Sequence, residues 1–330
     1  MTRTLQVDPV APLGEALGEA ADVLCRGGLV AFPTETVYGL GADAQSPGAV
    51  RAVFEAKGRP ATNPVIVHVA DHRDVARLTS RWPDVAERIA RTFWPGPVTL
   101  VAPRSDLVPD IVTAGGETVA LRMPAHPVAL ALIRAAGRPI AAPSANRSTR
   151  ISPTTAAHVL SQLAGRIDLV LDGGACAAGI ESTVIDTTTD PPAILRPGPV
   201  SAEELWDEAG VRAVAGLSAQ GMPPRSPGAM ARHYAPNART VVTETSEARV
   251  HDEAAQGRSV AWLRFAREAA APPGALSLTM PDDANAYAAV LYARLHQAEA
   301  AAVEVIVISR PPSGPHWTAV LDRLLRASRA

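Results

Sequence analysis

The sequence predicts an α/β protein built as two units, and three observations carry that reading. Over the first two-thirds of the chain, short apolar runs suited to buried strands alternate with apolar residues at helical spacing. This pattern lapses between Gly210 and Asn237 and then resumes. The chain is also 330 residues long, beyond the roughly 250–300 residues at which single cores stop growing.

Leu13, Leu17, Ala20, Ala21 and Leu24 recur at helical spacing, and Gly27-Gly28 stops that helix. Residues 29–32 follow as a buried strand. Ser46 is placed to cap a helix that has Pro47 at its first position and ends near Lys57-Gly58. Strands are expected at 65–69, 98–102 and 119–122, a helix at 127–136, then strands at 140–142, 169–172 and 183–185. The run Met222-Pro223-Pro224-Arg225-Ser226-Pro227-Gly228 has no periodicity and reads as a linker. Beyond it come strands at 240–243, 259–265 and 303–308 and helices at 283–299 and 317–327, with Asp282 or Asp283 as the cap of the longer helix. That second set describes a smaller parallel α/β domain of Rossmann-like layering. The expected division is 1–209, a linker over 210–237, and 238–330.

A hydrophobic content of 47% with only 4% aromatics implies a core of Ala, Val, Leu and Ile, and 30 prolines with 24 glycines imply many turns. A net charge of −2 gives no global electrostatic reason to bind nucleic acid or an anionic membrane. Cys25 and Cys176 have neither metal-site nor disulfide-framework spacing, which suits a reducing compartment. No apolar run reaches membrane-spanning length and Met1 to Pro12 lacks an apolar signal core, so the expectation is a soluble cytoplasmic protein with no membrane partner. Of the 31 basic residues only Lys57 is a lysine. A compact ammonium differs physically from the planar guanidinium used everywhere else in the chain.

Several nucleotide and hydrolase signatures are absent. There is no G-x-x-x-x-G-K-[ST] loop, and Gly39-Leu40-Gly41 lacks the third glycine of a dinucleotide fingerprint. No His-Glu-x-x-His and no G-x-S-x-G occur. Four polar segments stand instead at the ends of expected strands, where loops of an open α/β sheet converge on one crevice. They are Pro33-Thr34-Glu35-Thr36-Val37-Tyr38-Gly39, the Lys57-Gly58-Arg59-Pro60 loop with Asn63-Pro64 and the His68 strand, Thr118 to Arg122, and Pro143-Ser144-Ala145-Asn146 leading to Ser152-Pro153. Arg122 can hold a carboxylate bidentately, and Ser152-Pro153 makes a helix start that favours anions. Together they describe a small-molecule site rich in cations and poor in acids.

In the order and spacing of these segments, with Ser182-Thr183-Val184 and Leu195-Arg196-Pro197-Gly198, the chain resembles the YrdC-like threonylcarbamoyl-AMP synthases from Leu29 to about Gly198. Ser226-Pro227-Gly228 and His233-Tyr234-Ala235-Pro236 resemble the linker of their two-domain members. The resemblance implies an N-terminal YrdC-like twisted mixed sheet with flanking helices and a C-terminal Rossmann-like domain. It also implies formation of L-threonylcarbamoyl-AMP and pyrophosphate from L-threonine, bicarbonate and ATP, for the modified adenosine beside the tRNA anticodon. Lys57 and Arg59 would be the catalytic cations. They would hold ATP together with Asn63, Thr118, Ser144, Asn146, Ser152, Arg196 and Tyr234. Thr36, His68, Arg122, Ala142 and Ser182 would hold threonine. Mg2+ would come with ATP and no protein metal site is expected. The partners implied are the substrates, a weak contact with tRNA or other RNA, and the downstream proteins that transfer the threonylcarbamoyl group to tRNA.

The sequence departs from the family at Thr149 and Ile151, where glycine and proline are common, and at Ala229-Met230-Ala231 in the linker, where larger or basic residues are frequent. Two other readings compete. Arg51, Lys57, Arg59, Arg73, Arg77 and Arg81 could form a basic RNA-binding patch. A serine hydrolase would use Ser144 or Ser182, although no histidine and acid are marked by sequence to activate either.

Overall fold

The structure, a computed structural model, describes residues 1–216 and 233–329. The first part supplies strands β1 (Arg3–Gln6), β2 (Val30–Phe32), β3 (Gly39–Asp43), β4 (Ile66–His68), β5 (Val98–Pro103), β6 (Thr118–Arg122), β7 (Ile140–Ala141), β8 (Leu169–Asp172), β9 (Thr183–Asp186), β10 (Ala193–Arg196) and β11 (Val214–Ala215). They form one mixed sheet in the order β1-β8-β2-β3-β7-β4-β6-β5-β9-β10-β11. β4 and β6 are parallel, with His68 opposite Arg122, so two residues read as site candidates end adjacent strands side by side.

The helix read from Ser46-Pro47 forms as Pro47–Lys57, because the Ser46 side chain accepts from the Ala49 N–H and Gly58 closes it in the left-handed conformation. The Gly39-Leu40-Gly41 pair belongs to a strand. A Cβ on Gly41 would lie 2.8 Å from the Phe32 ring and 2.9 Å from Ile140, so the glycine serves close packing between neighbouring strands. Val214–Ala215, within the stretch read as linker, pair with β10 in the first sheet. The remaining linker motifs, Ser226-Pro227-Gly228 and Ala229-Met230-Ala231, lie outside the described residues.

The second part forms a separate four-stranded sheet from β12 (Arg239–Thr243), β13 (Val260–Phe265), β14 (Leu276–Met280) and β15 (Val305–Ser309), in the order β12-β15-β13-β14 and parallel throughout. Parallel neighbours need crossovers, which the helices Ser246–Ala255 and Ala284–Ala300 help to supply. β15 is buried along its whole length, as central strands covered on both faces are. Asp283 caps the longer helix by accepting from Ala286 N–H. Among the described residues no helix is long and apolar enough to cross a membrane.

One apolar cluster runs through both parts: Val37, Ile151, Ile180 and Tyr234 pack with Tyr287, Leu291, Tyr292 and Leu295 of the Ala284–Ala300 helix. Ile151, a departure from the family pattern, is wholly buried in it. Gly179 marks the closest approach: its φ is +72°, and a Cβ there would meet the Ala288 carbonyl oxygen at 2.4 Å and Ala289 Cα at 2.5 Å. Overpacking costs typically ~1–3 kcal/mol, and a left-handed non-glycine residue adds about 1–2 kcal/mol. Gly179→Ala should therefore lower the urea midpoint of unfolding clearly. An unchanged midpoint would mean that the two parts are not so tightly apposed.

Candidate active site

The ends of β2, β4, β6, β7 and β10 and the residue before β9 meet at one cavity. All five residues of the threonine set, Thr36, His68, Arg122, Ala142 and Ser182, line it. From the ATP set Arg59, Ser144, Arg196 and Tyr234 line it as well. The other five do not. Asn63 is buried beside the Arg59 loop, where its carbonyl accepts from Arg59 Nε at 3.2 Å. Thr118 opens β6, four residues from Arg122 and so roughly 13 Å along the strand. Asn146 turns its amide inward to the Arg147 and Arg150 carbonyls, each at 2.8 Å. The Ser152 hydroxyl donates to Glu181.

Lys57 faces a neighbouring cleft that it shares with Arg147, Arg150, His158 and His296. It is buried, and its ammonium donates to the carbonyls of Ser144 and Asn146 while its own carbonyl accepts from Ser148 N–H at 2.8 Å. The single lysine therefore ties down the loop that presents Ser144. Burial, and then the neighbouring Arg59, push its pKa well below the ordinary lysine value.

The charge in the cavity is mostly positive. Arg59, Arg122 and Arg196 are all buried. Arg59 is held by main-chain carbonyls, its NH2 donating to Pro64 O at 2.7 Å, and burial lowers its pKa to about 10. Arg196 donates to the Ser182 carbonyl and hydroxyl, both at 3.1 Å, and Thr99 shares that hydroxyl at 2.7 Å. Among the described residues Ser182 thus has hydroxyl and guanidinium partners, with no histidine bonded to it to activate it as a hydrolase nucleophile. Arg122 lies 2.7 Å from a Glu35 oxygen, yet no aligned N–H···O bond forms and its NH2 keeps unused donor capacity. Burial and then Arg122 lower the His68 pKa to about 3, so the imidazole is neutral at pH 7. Among the described residues, His68 Nδ1, His233 Nδ1 and the Tyr234 phenol are buried without a hydrogen-bond partner. Orphaned buried polar atoms of this kind are what a bound polar ligand satisfies.

Sequence reasoning missed Glu35, Glu181, His233 and the distant Arg323. The first three lie inside or beside quoted motifs, and for Glu35 and Glu181 the available signal was a lone acid among hydroxyl residues. Arg323 gave none, being an arginine on an amphipathic helix. Thr149 shows why the family favours glycine nearby: its φ is +67°, strained for a β-branched residue, and its carbonyl accepts from Ala235 N–H at 2.9 Å. That bond seats the segment carrying His233 and Tyr234. The six-residue basic patch does not assemble as one open face. Lys57 and Arg59 are buried, and Arg73 and Arg77 pair with Asp71 and Asp74.

A cavity with buried guanidiniums, hydroxyls and a neutral imidazole at strand ends, set against a second α/β unit, defines a two-part α/β enzyme. Residues 22–198 match the Sua5/YciO/YrdC family, described as "Telomere recombination", and residues 200–329 match the "Threonylcarbamoyl-AMP synthase, C-terminal domain". The Threonylcarbamoyl-AMP synthase of Bacillus subtilis is 42% identical over 320 residues, covering 94% of this chain and 92% of the relative. That of Pyrococcus abyssi is 51% identical over 229 residues, covering 68% and 67%. The crystal structure of P. abyssi Sua5 complexed with L-threonine superposes with a TM-score of 0.92 at 39% identity, covering 99% of this chain and 98% of that one. The chain belongs to the threonylcarbamoyl-AMP synthase family, in its two-domain form.

Two consequences for stability can be measured. Thr149→Gly relieves the left-handed strain, about 1–2 kcal/mol, against the added entropy cost of glycine, roughly 0.5–1 kcal/mol. It should raise stability by up to about 1.5 kcal/mol in urea titration, and a loss would contradict the strain. The second concerns pH. His68, His233 and His296 are each lowered to about 3. Between that value and the unfolded value near 6.5 the unfolded chain binds more protons, so stability is full above about pH 6.5 and falls as pH drops. The urea midpoint should decline between pH 6.5 and 5, and His68→Asn should make the decline shallower; an equal slope would show that His68 protonates freely when folded.

Proposed function

We propose that this chain condenses L-threonine, bicarbonate-derived carbon dioxide and ATP into L-threonylcarbamoyl-AMP and pyrophosphate, the activated intermediate for threonylcarbamoyladenosine in tRNA. The observation that carries this reading is that all five residues of the threonine set share one cavity with the buried guanidiniums of Arg59 and Arg196. Arg122 suits the substrate carboxylate, because its NH2 donor capacity is unspent beside Glu35. The hydroxyls of Thr36 and Ser182 suit the substrate's hydroxyl and amine end, with Ala142 as a wall. His68, at about 3, is too weak a base to take the amine proton but can exchange a neutral hydrogen bond.

The amine nitrogen adds to carbon dioxide and loses a proton to give a carbamate. A carbamate oxygen then attacks the α-phosphorus and pyrophosphate leaves in line, so positioning and charge compensation suffice without a protein nucleophile. Arg59 and Arg196 would meet the phosphates, and Ser144 and the Tyr234 phenol would complete the ATP contacts. Asn63, Thr118, Asn146 and Ser152 belong to the same ATP reading. Three of them, Asn63, Asn146 and Ser152, are seen shaping the loops around the cavity. Lys57 belongs to the same reading as a catalytic cation beside Arg59, and its ammonium also tethers the Ser144–Asn146 loop.

Mg2+ would accompany ATP. Among the described residues no group of three or more His, Cys, Asp or Glu side chains could hold a metal. Glu181, the carboxylate that lines the cavity, is taken by Arg323 and Ser152. No step is therefore assigned to a protein-held ion. In functional terms the chain divides into a catalytic part at 1–209, a connecting part at 210–237 that brings Tyr234 over the ATP side, and a supporting domain at 238–330. The product would pass to proteins that transfer the threonylcarbamoyl group to tRNA.

Incubation with ATP, threonine and bicarbonate should release pyrophosphate and yield the adenylate by mass spectrometry. Valine should be a poor substitute, since polar groups built for a hydroxyl are left unpaired. Absence of product with every amino acid tried would refute the reading.

A further inference from the structure

Among the described residues, nothing in the β12–β15 domain lines the cavity. Yet one of its side chains reaches three parts of the cavity wall. Arg323, on the Thr318–Ala327 helix, is fully buried. Its Nε donates to Glu181 Oε2 at 2.8 Å, and its NH2 donates to the Pro197 carbonyl at 3.0 Å. Its Cζ lies 5.0 Å from the centre of the Tyr234 ring. Glu181 also accepts from the Ser152 hydroxyl and, at 3.0 Å, from the Tyr292 phenol. Glu181 and Tyr234 line the cavity themselves, Glu181 immediately precedes Ser182, and Pro197 follows Arg196.

We infer that Arg323 is a positioning residue for the synthase reaction, acting from the C-terminal domain through Glu181, Pro197 and Tyr234 to place Ser182, Arg196 and the Tyr234 phenol. The inference rests on the function proposed above. A planar fork with several fixed donors can bond a carboxylate and a carbonyl while lying flat against an aromatic ring; a lysine in its place has three donors on one nitrogen but no planar face to lay on the Tyr234 ring. The carboxylate that Arg323 grips is wholly buried. Burial alone would raise the Glu181 pKa, but Arg323 and then Arg196 outweigh it and hold it at about 2. The groups facing Glu181 are Arg323, Arg196, Tyr292, Tyr234, His233 and the Ser152 hydroxyl. Of these, and among the described residues, Arg323 is the cation that bonds the carboxylate directly.

The test is a double-mutant cycle over Arg323→Met, Glu181→Gln and their combination, with Arg323→Lys alongside, read by circular dichroism, turnover and calorimetric ATP binding. Arg323→Met and Arg323→Lys should both lose at least tenfold in kcat/KM for ATP while remaining folded. Arg323→Met should also gain a titration in its activity profile between pH 5 and 8, because Glu181 has lost its partner. That titration should be missing from the wild type and from the double variant. In the Glu181→Gln background the Arg323→Met loss should shrink well below tenfold, since the two residues act as one unit. If Arg323→Met does not fold, Arg323→Lys takes its place in the cycle. Kinetics within twofold of wild type in a folded variant, or additive losses around the cycle, would overturn the inference. Calorimetry keeps the two ideas apart. A wild type that makes no adenylate defeats the functional reading, whereas Arg323 is then judged by whether its replacement weakens ATP binding tenfold.

Discussion

The Glu181–Arg323 ion pair removes a carboxylate and a guanidinium from water together, and much of the molecule is arranged around that event. Withdrawing such charges costs several kcal/mol per ion, a cost offset only when geometry is good and the remaining lone pairs find donors. Here they do, through Ser152, Tyr292 and a second guanidinium at Arg196. The partners come from the loop after Asn146, from β10 and from two helices of the C-terminal domain. Their mutual dependence explains why an apolar cluster runs unbroken between the two parts, and why Gly179 can press against the Ala284–Ala300 helix. Neither part could move far from the other without stranding a bare charge.

The cavity follows the opposite rule. Two of its guanidiniums are compensated by main-chain carbonyls or by a carboxylate that is near but misaligned: Arg59 on Pro64 and Arg122 beside Glu35. Dipoles stabilise a buried cation less than a full counter-charge does, so the site keeps an unspent preference for anions. The contrast lies within one wall: Glu181 is saturated and structural, while across from it Tyr234, His68 and His233 retain free hydrogen-bonding capacity.

Much of this was legible in the sequence, for identifiable reasons. Strands buried nearly throughout, such as β6 and β15, and well-capped helices such as Pro47–Lys57 announce themselves through apolar runs and a Ser-Pro start. Strands β1, β3, β10, β11 and β14 did not. β3 carries two glycines demanded by packing, β1 and β11 are short edges, and β14 alternates buried and exposed residues over only five positions. The threonine-side residues came from the family resemblance; His68 and Arg122 end strands, Ala142 follows one and Ser182 precedes one, while Thr36 lies in the loop between β2 and β3. For Lys57, Asn146 and Ser152 the sequence offers no distinction between facing a ligand and holding a loop, and the structure shows their loop-holding bonds. Only burial and partners separate the two. Arg323 was invisible because its role depends on a contact 142 residues away along the chain.

The arginine-for-lysine composition has a chemical consequence once Lys57 is seen to be buried. Guanidinium groups do not react with the acylating and reductive reagents that modify ε-amines. This chain carries one such amine, 2% exposed and hydrogen-bonded to two carbonyls. Burial also favours its neutral, nucleophilic form. Apart from the exposed Met1 amine, the folded protein therefore shields its target for such reagents, while any opening of the Ser144–Asn146 loop would uncover the ε-nitrogen of Lys57. The composition has made this lysine a built-in reporter of its own enclosure.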